Sequence, residues 1–186
     1  MVIFCLFFLF LVTQRITELI IAKKNEKWMK SNGAFEVGQE HYNLIVSTHV
    51  LFFMSFCIEV LLKGIELSQI FPIIFTFFIL SQFMRIWAIA SLGRYWNTKI
   101  IIMPNAEIIK KGPYQYLRHP NYVVVTLELI IIPLLFNAYI TATIFTLLNV
   151  LVLSIRIPAE EKALELLTNY EEQFSKTGRF IPKSIK

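Results

Sequence analysis

The sequence predicts an all-α integral membrane protein, a bundle of about five transmembrane helices with an amphipathic helix at its C-terminus. Three observations predict it. Of 186 residues, 56% are hydrophobic and only 17% are charged, whereas about a quarter are charged in a soluble domain. The apolar residues gather into five long runs, close to the ~20 residues a helix needs to cross ~30 Å of hydrocarbon. The charges lie between those runs, and the positive ones favour one side of them.

The first run, Val2–Ala22, has no basic segment before it. Thr13-Gln14-Arg15 leads directly into more apolar sequence without a small-residue cleavage site, so the run reads as a retained span. Leu44–Leu62 and Phe71–Leu92 are the second and third spans. Tyr122–Phe136 and Tyr139–Ile155 are shorter and separated only by Asn137-Ala138. That pair reads as a tight helical hairpin, or as one span with a re-entrant helix. Beyond it, Ala163, Leu166, Leu167, Tyr170 and Phe174 recur at helical spacing within Ala159–Ser175. Pro158 stands at the start of this amphipathic helix, where a missing N–H costs little. The helix is expected at the membrane surface or folded back over the bundle. The chain reads as one membrane domain over 1–186, with three spans in 1–92 and a second half in 93–186.

Positive charge fixes the expected orientation. Lys23–Tyr42 carries four Lys, Gly93–Asn121 five Lys or Arg, and Arg156 to the end six. The Lys63–Ile70 loop carries one and the Asn137 hairpin none. The N-terminus should therefore lie outside, with the first loop, the central segment and the tail cytoplasmic. The net charge of +5 is a topology signal on this reading. No nucleic-acid partner is expected, because no basic soluble face or binding module is present. Cys5 and Cys57 both fall inside apolar runs and read as packing residues.

Polar groups inside spans are costly, which makes them informative. Arg15 and Glu18 are three residues apart and can share a face. Glu59 and Arg85, in successive spans, could pair across helices. Glu128 lies near the middle of the fourth span. It could pair with Arg85, or face a substrate cavity as a base or hydrogen-bond acceptor.

The densest polar cluster runs from Lys110 to Tyr122. Gly112-Pro113 ends an extended stretch that includes Asn97–Ile102 and Glu107–Ile109, and His119-Pro120 bars a helix before the next span opens. A belt of Tyr and Arg at the interface accounts for part of the cluster, but not for His119. A second cluster, Arg156-Ile157-Pro158-Ala159-Glu160-Glu161-Lys162, follows the last span. Acidic residues suit a first helical turn, which explains the glutamates and leaves Arg156 unexplained. Arg156 and Glu160, four residues apart, share a side if Pro158 leaves the turn intact.

Several functions are disfavoured. The sequence has no Gly-x-Gly-x-x-Gly and no Asp at all, which argues against a soluble dinucleotide-type fold. It has no His-Glu-x-x-His. A membrane reductase gripping nucleotide phosphates with Lys110, Lys111 and Arg118 remains open. So does a small transporter, which should be polar at the bilayer midplane, and Glu128 favours it.

The two clusters in this order resemble the isoprenylcysteine carboxyl methyltransferase family. The resemblance rests on Gly112-Pro113-Tyr114, Arg118-His119-Pro120-Asn121-Tyr122, the Asn137 hairpin and Arg156 with Glu160-Glu161. The ending from Asn169-Tyr170 to Arg179-Phe180-Ile181-Pro182 is also similar. It implies a cytoplasmic pocket for S-adenosylmethionine, held by Ala106, Glu107, Ile108, Ile109, Tyr114, His119, Pro120, Asn121, Tyr122 and Glu160. It further implies that Arg156 faces the reacting oxygen of a lipophilic acceptor reached from the bilayer. Ala106 stands where the family usually has His, and Val124 where it usually has Gly. The first departure bears on the cofactor pocket; Val124, together with Glu128, which enters here as a second candidate catalytic group, implies a different acceptor. The bacterial look of the motifs is similar to enzymes that O-methylate alkylpyrone polyketides, which implies a long-chain alkylpyrone hydroxyl, or else a carboxyl group, as the acceptor, in a bacterial plasma membrane.

Overall fold

A computed structural model describes residues 1–181; Pro182 of the family-like ending and Lys183 and Lys186 of the basic tail lie outside the described residues. Five long helices form the bundle. They are α1 (Val2–Ser31), α2 (Gln39–Lys63), α3 (Phe71–Leu92), α4 (Pro120–Leu134) and α5 (Tyr139–Leu167). Four of them are long and apolar enough to cross a membrane. The fifth, α4, has 15 residues, about 22 Å at the α-helical rise. It packs between α3 and α5, and α2 packs on α5.

Two helices overshoot the bilayer. With 30 residues in α1 and 29 in α5, each is about 44 Å long, so one end of each projects beyond the hydrocarbon. The projecting ends, Lys23–Ser31 and Arg156–Leu167, support the polar layer of the molecule. There β1 (Phe35–Val37) pairs antiparallel with β2 (Ile100–Ile102), joining the first loop to the central segment. Leu117 bridges to Gly178, which adds the tail. The three segments rich in Lys and Arg are thereby gathered at one end. At the opposite end, Asn137 turns the α4–α5 hairpin with φ of 57°, and Lys63 donates to its carbonyl.

The core of that opposite end is largely phenylalanine. Phe4 meets Phe136 edge-on at 5.1 Å, Phe7 meets Phe78 at 5.2 Å, and Phe52 meets Phe145 at 5.6 Å. In lipid, hydrophobicity gives no drive for helix association, so van der Waals packing of this kind contributes alongside interhelical hydrogen bonds.

Two expectations need correction. The amphipathic segment is not a separate helix starting at Pro158. α5 runs straight through that proline to Leu167, and a five-residue α6 (Tyr170–Phe174) follows. An internal proline costs ~3 kcal/mol in a helix; the burial of Ile157 and Ala163 and the hydrogen bonds of Arg156 to Tyr122 and Thr98 and of Glu161 to His119 and Arg179 offset that cost. Glu59 does not pair with Arg85 either. Its carboxylate accepts from the backbone N–H groups of Ile140 and Thr141 at 3.1 and 2.7 Å and from Lys63 at 2.8 Å. The open N–H groups at the start of α5 attract an anion, and they lie at the far end of the bundle from Arg85.

Candidate functional site

The site is built at the end where α1 and α5 project. Gly112 begins it, with φ of +56°; a Cβ there would come within 2.0 Å of Ser91 Oγ and 2.8 Å of Trp87 Nε1. Only glycine lets the following turn, Gly112–Gln115, sit so close to α3. That turn buries Tyr114. Burial first, and the Glu160 charge second, push its phenol above the usual range, so it acts as a neutral hydrogen-bonding group. His119 then precedes α4, and Pro120 occupies its first helical position, where no N–H is needed. Asn121 and Tyr122 follow on the first turn.

Arg156 and Glu160 face the same way from α5, as their spacing predicted. The Tyr122 hydroxyl links them, donating to Glu160 Oε2 and accepting from Arg156 Nε at 2.7 Å. Arg156 Nη2 donates to the carbonyl of Thr98 at 2.6 Å. Arg156 Nη1 and Glu160 Oε1 have no hydrogen-bond partner among the described residues. Glu161 points elsewhere. It accepts from His119 Nε2 at 3.0 Å and from Arg179. Arg118 ties down the same tail through the carbonyls of Thr177 and Phe174, both at 2.8 Å.

Two adjoining cavities of about 160 Å³ each occupy this layer. Tyr114, Arg118, His119 and Glu160 line both. Asn121, Tyr122 and Arg156 line the deeper one, Ile108, Ile109 and Tyr170 the outer one. Sequence reasoning missed Trp96, Arg15, Glu18 and His49, which also line the deeper cavity. Arg15 and Glu18 were legible as costly intramembrane charges, whereas His49 carried no motif. Ala106 and Glu107 part from their neighbours and line a separate recess with Leu166–Asn169. Asn105, at φ of 59°, turns the chain there and donates to Leu167 O.

Glu128 is drawn into a buried ion network. Its carboxylate accepts from Arg85, Arg15 and Gln82, while Glu18 accepts from both arginines. At 1% exposure and with both oxygens engaged, Glu128 has no lone pair directed at the cavities. The pairing with Arg85 is thus the arrangement adopted.

The donor set can be tested against a sulfonium amino acid. Asn121 Oδ1 and Trp96 Nε1 are buried without a hydrogen-bond partner among the described residues, and both residues line the deeper cavity. An orphaned acceptor and an orphaned donor in one cavity suit a polar ligand carrying both functions. Glu160 Oε1 suits an ammonium group, and the rings of Tyr114, Tyr122 and Trp96 suit a cationic sulfur. The residues fit.

Residues 73–166 match the isoprenylcysteine carboxyl methyltransferase (ICMT) family. The chain belongs to that family. It is accordingly an integral membrane methyltransferase, and the matched ICMT segment contains the Gly112–Tyr122 cluster and the Arg156–Glu161 cluster that build the cavities. The chain is also similar to the uncharacterized protein YpbQ of Bacillus subtilis (strain 168), 46% identical over 162 residues, covering 87% of this chain and 96% of that protein. It is similar as well to an uncharacterized protein of Haemophilus influenzae, 30% identical over 154 residues, covering 82% and 90% respectively.

Proposed function

We propose that this ICMT-family protein transfers the methyl group of S-adenosylmethionine to an oxygen of a lipophilic acceptor, an alkylpyrone hydroxyl in the narrowest form of the reading. The observation that carries it is the bridge from Arg156 through Tyr122 to Glu160, set beside the unpartnered Asn121 Oδ1 and Trp96 Nε1. Glu160, Tyr114, Asn121, Trp96, Ile108 and Ile109 would hold the cofactor, which supplies an electrophilic methyl on a positively charged sulfur. Arg156 is tethered by Nε and Nη2, which leaves Nη1 to hold an acceptor oxygen. A guanidinium fixed by two bonds is preorganised, and orientation of the reactants is the main lever on a methyl transfer.

His119 and Pro120 serve the pocket by position. His119 stacks beside the Tyr122 ring, with centroids 5.3 Å apart, and Glu161 holds its ring. Glu128 serves by bracing α1, α3 and α4. Its complete pairing also counts against a transporter, whose midplane polar group should be available to cargo. The clustering of Lys and Arg at the site end supports a cytoplasmic location for the cavities and an outside N-terminus, and the Bacillus subtilis relative supports a bacterial plasma membrane.

Calorimetry on detergent-purified protein tests the cofactor, with NADPH as comparison. Saturable S-adenosylmethionine binding that Glu160→Ala weakens is the expected result. NADPH binding in its place would overturn the proposal in favour of a reductase gripping phosphates with Lys110, Lys111 and Arg118.

A further inference from the structure

We propose that His49 takes the proton of the acceptor's hydroxyl, and that the tail of that acceptor lies in a groove between α1 and α2. The inference rests on the methyl-transfer reading and adds the seat of the acceptor's tail and a residue from outside the family match, which begins at residue 73.

The groove is about 290 Å³, walled by Val12, Ile16 and Leu19 of α1 and by Val46, Val50 and Phe53 of α2. Phe8 meets Phe53 edge-on at 5.8 Å, beside that wall. The groove continues into the deeper cavity, because Arg15, Glu18, Ile45, His49 and Thr98 line both. An amphiphile seated with its tail among the valines therefore presents its head at His49, in the same cavity as Arg156.

The chemistry of His49 follows from one hydrogen bond. Its Nδ1 lies 2.9 Å from the carbonyl oxygen of Ile45. A carbonyl only accepts, so Nδ1 carries the proton and Nε2 of the neutral ring offers a lone pair. Nε2 has no hydrogen-bond partner among the described residues. The other charges near this junction are Arg15 and Glu18 of α1, Arg85 of α3 and Glu128 of α4, and they pair with one another. No carboxylate of that network is left to act as a base.

A base is required because a lipid crossing hydrocarbon arrives uncharged, since an unpaired charge is expensive there. In the transfer the acceptor oxygen forms a bond to the methyl carbon as the carbon–sulfur bond breaks. The sulfonium becomes a neutral thioether, and the O–H proton passes to His49 Nε2. The imidazolium releases it to solvent before the next turnover.

The test uses full-length protein in nanodiscs, with a long-tailed hydroxypyrone and its short-tailed congener as probes. His49→Ala and His49→Gln should each lower kcat about 100-fold or more, within the range for general-base catalysis, while S-adenosylmethionine affinity stays within about twofold of the unaltered protein. Added imidazole should restore part of the His49→Ala rate, an effect a packing role would not produce. Val50→Trp should raise KM for the long tail at least tenfold and leave the short-tailed probe unaffected. Unchanged kcat in both His49 variants, or a Val50→Trp effect equal for both tails, would overturn the inference. Cofactor binding with no methylation of either probe would overturn the hydroxyl-lipid class. Absence of cofactor binding in the unaltered protein would instead sink the methyl-transfer reading beneath it.

Discussion

His119 donates from Nε2 to Glu161 Oε1 at 3.0 Å, and the same carboxylate receives Arg179 of the tail. The consecutive glutamates therefore have different duties: Glu160 lines the cavities, and Glu161 holds a histidine and a tail against them. Adjacent helical residues point about 100° apart, so one pair can serve two directions. Five expected outcomes follow from this arrangement and its neighbours.

Glu160→Gln should weaken S-adenosylmethionine binding about 10- to 100-fold, since a hydrogen bond to a charged group is worth ~1.5–3 kcal/mol. Calorimetry measures it directly. Glu160→Gln keeps the acceptance of the Tyr122 hydroxyl while removing the charge, so a Kd within twofold of the unaltered protein would remove Glu160 from the cofactor site.

Arg156→Ala should lower kcat about 100-fold or more, the scale of a lost positioning group, with cofactor affinity largely retained. Arg156→Lys should recover little of this. A lysine cannot donate to Tyr122 and Thr98 at once in the fixed geometry of a guanidinium. Single-turnover kinetics separates the transfer step from binding.

Arg179→Ala removes the outer partner of Glu161 without touching the cavities. The expected result is a several-fold weaker cofactor affinity, partly rescued by Arg179→Lys, together with faster proteolysis of the tail. If proteolysis rose while affinity stayed constant, the tail would be a fastening that does not reach His119.

Glu128→Ala should destabilise the bundle by ~3–5 kcal/mol, because it leaves buried Arg85 and half-buried Arg15 sharing the single carboxylate of Glu18. Thermal unfolding in detergent reports it. The paired change Arg85→Met with Glu128→Leu should cost less than Glu128→Ala alone, since it removes a charge of each sign and leaves Arg15 with Glu18.

Gly112→Ala would force a methyl group into Ser91 Oγ, at 2.0 Å, and adopt a φ of +56°. The turn carrying Tyr114 must shift, and both cofactor affinity and turnover should fall. Ser91→Gly in the same chain should restore part of the loss by relieving the contact, although the φ remains unfavourable for alanine.

The sequence by itself determined the membrane class, the helix count and the end of the molecule where the polar layer lies. These depend on one-dimensional quantities: the length of each apolar run, and the sum of charges between runs. It also placed Arg156 and Glu160 on one side of a helix, because their spacing equals nearly one turn and Pro158 does not break it. The motif residues Tyr114, His119, Asn121 and Tyr122 were legible as a group through their order along the chain. What only the tertiary structure decided were the partners. Whether Glu128 would meet an arginine or a cavity depended on the rotation of α4 against α1 and α3, and the hydropathy of a span carries no record of rotation. Glu59 meets the N–H groups at the start of α5 and not Arg85 for the same reason, since those groups attract it without any signature in sequence. The continuation of α5 through Pro158 was settled by burial of the residues on either side of it. His49 was invisible in sequence, a lone histidine in an apolar run, until the packing of α1 on α2 left a groove beside it.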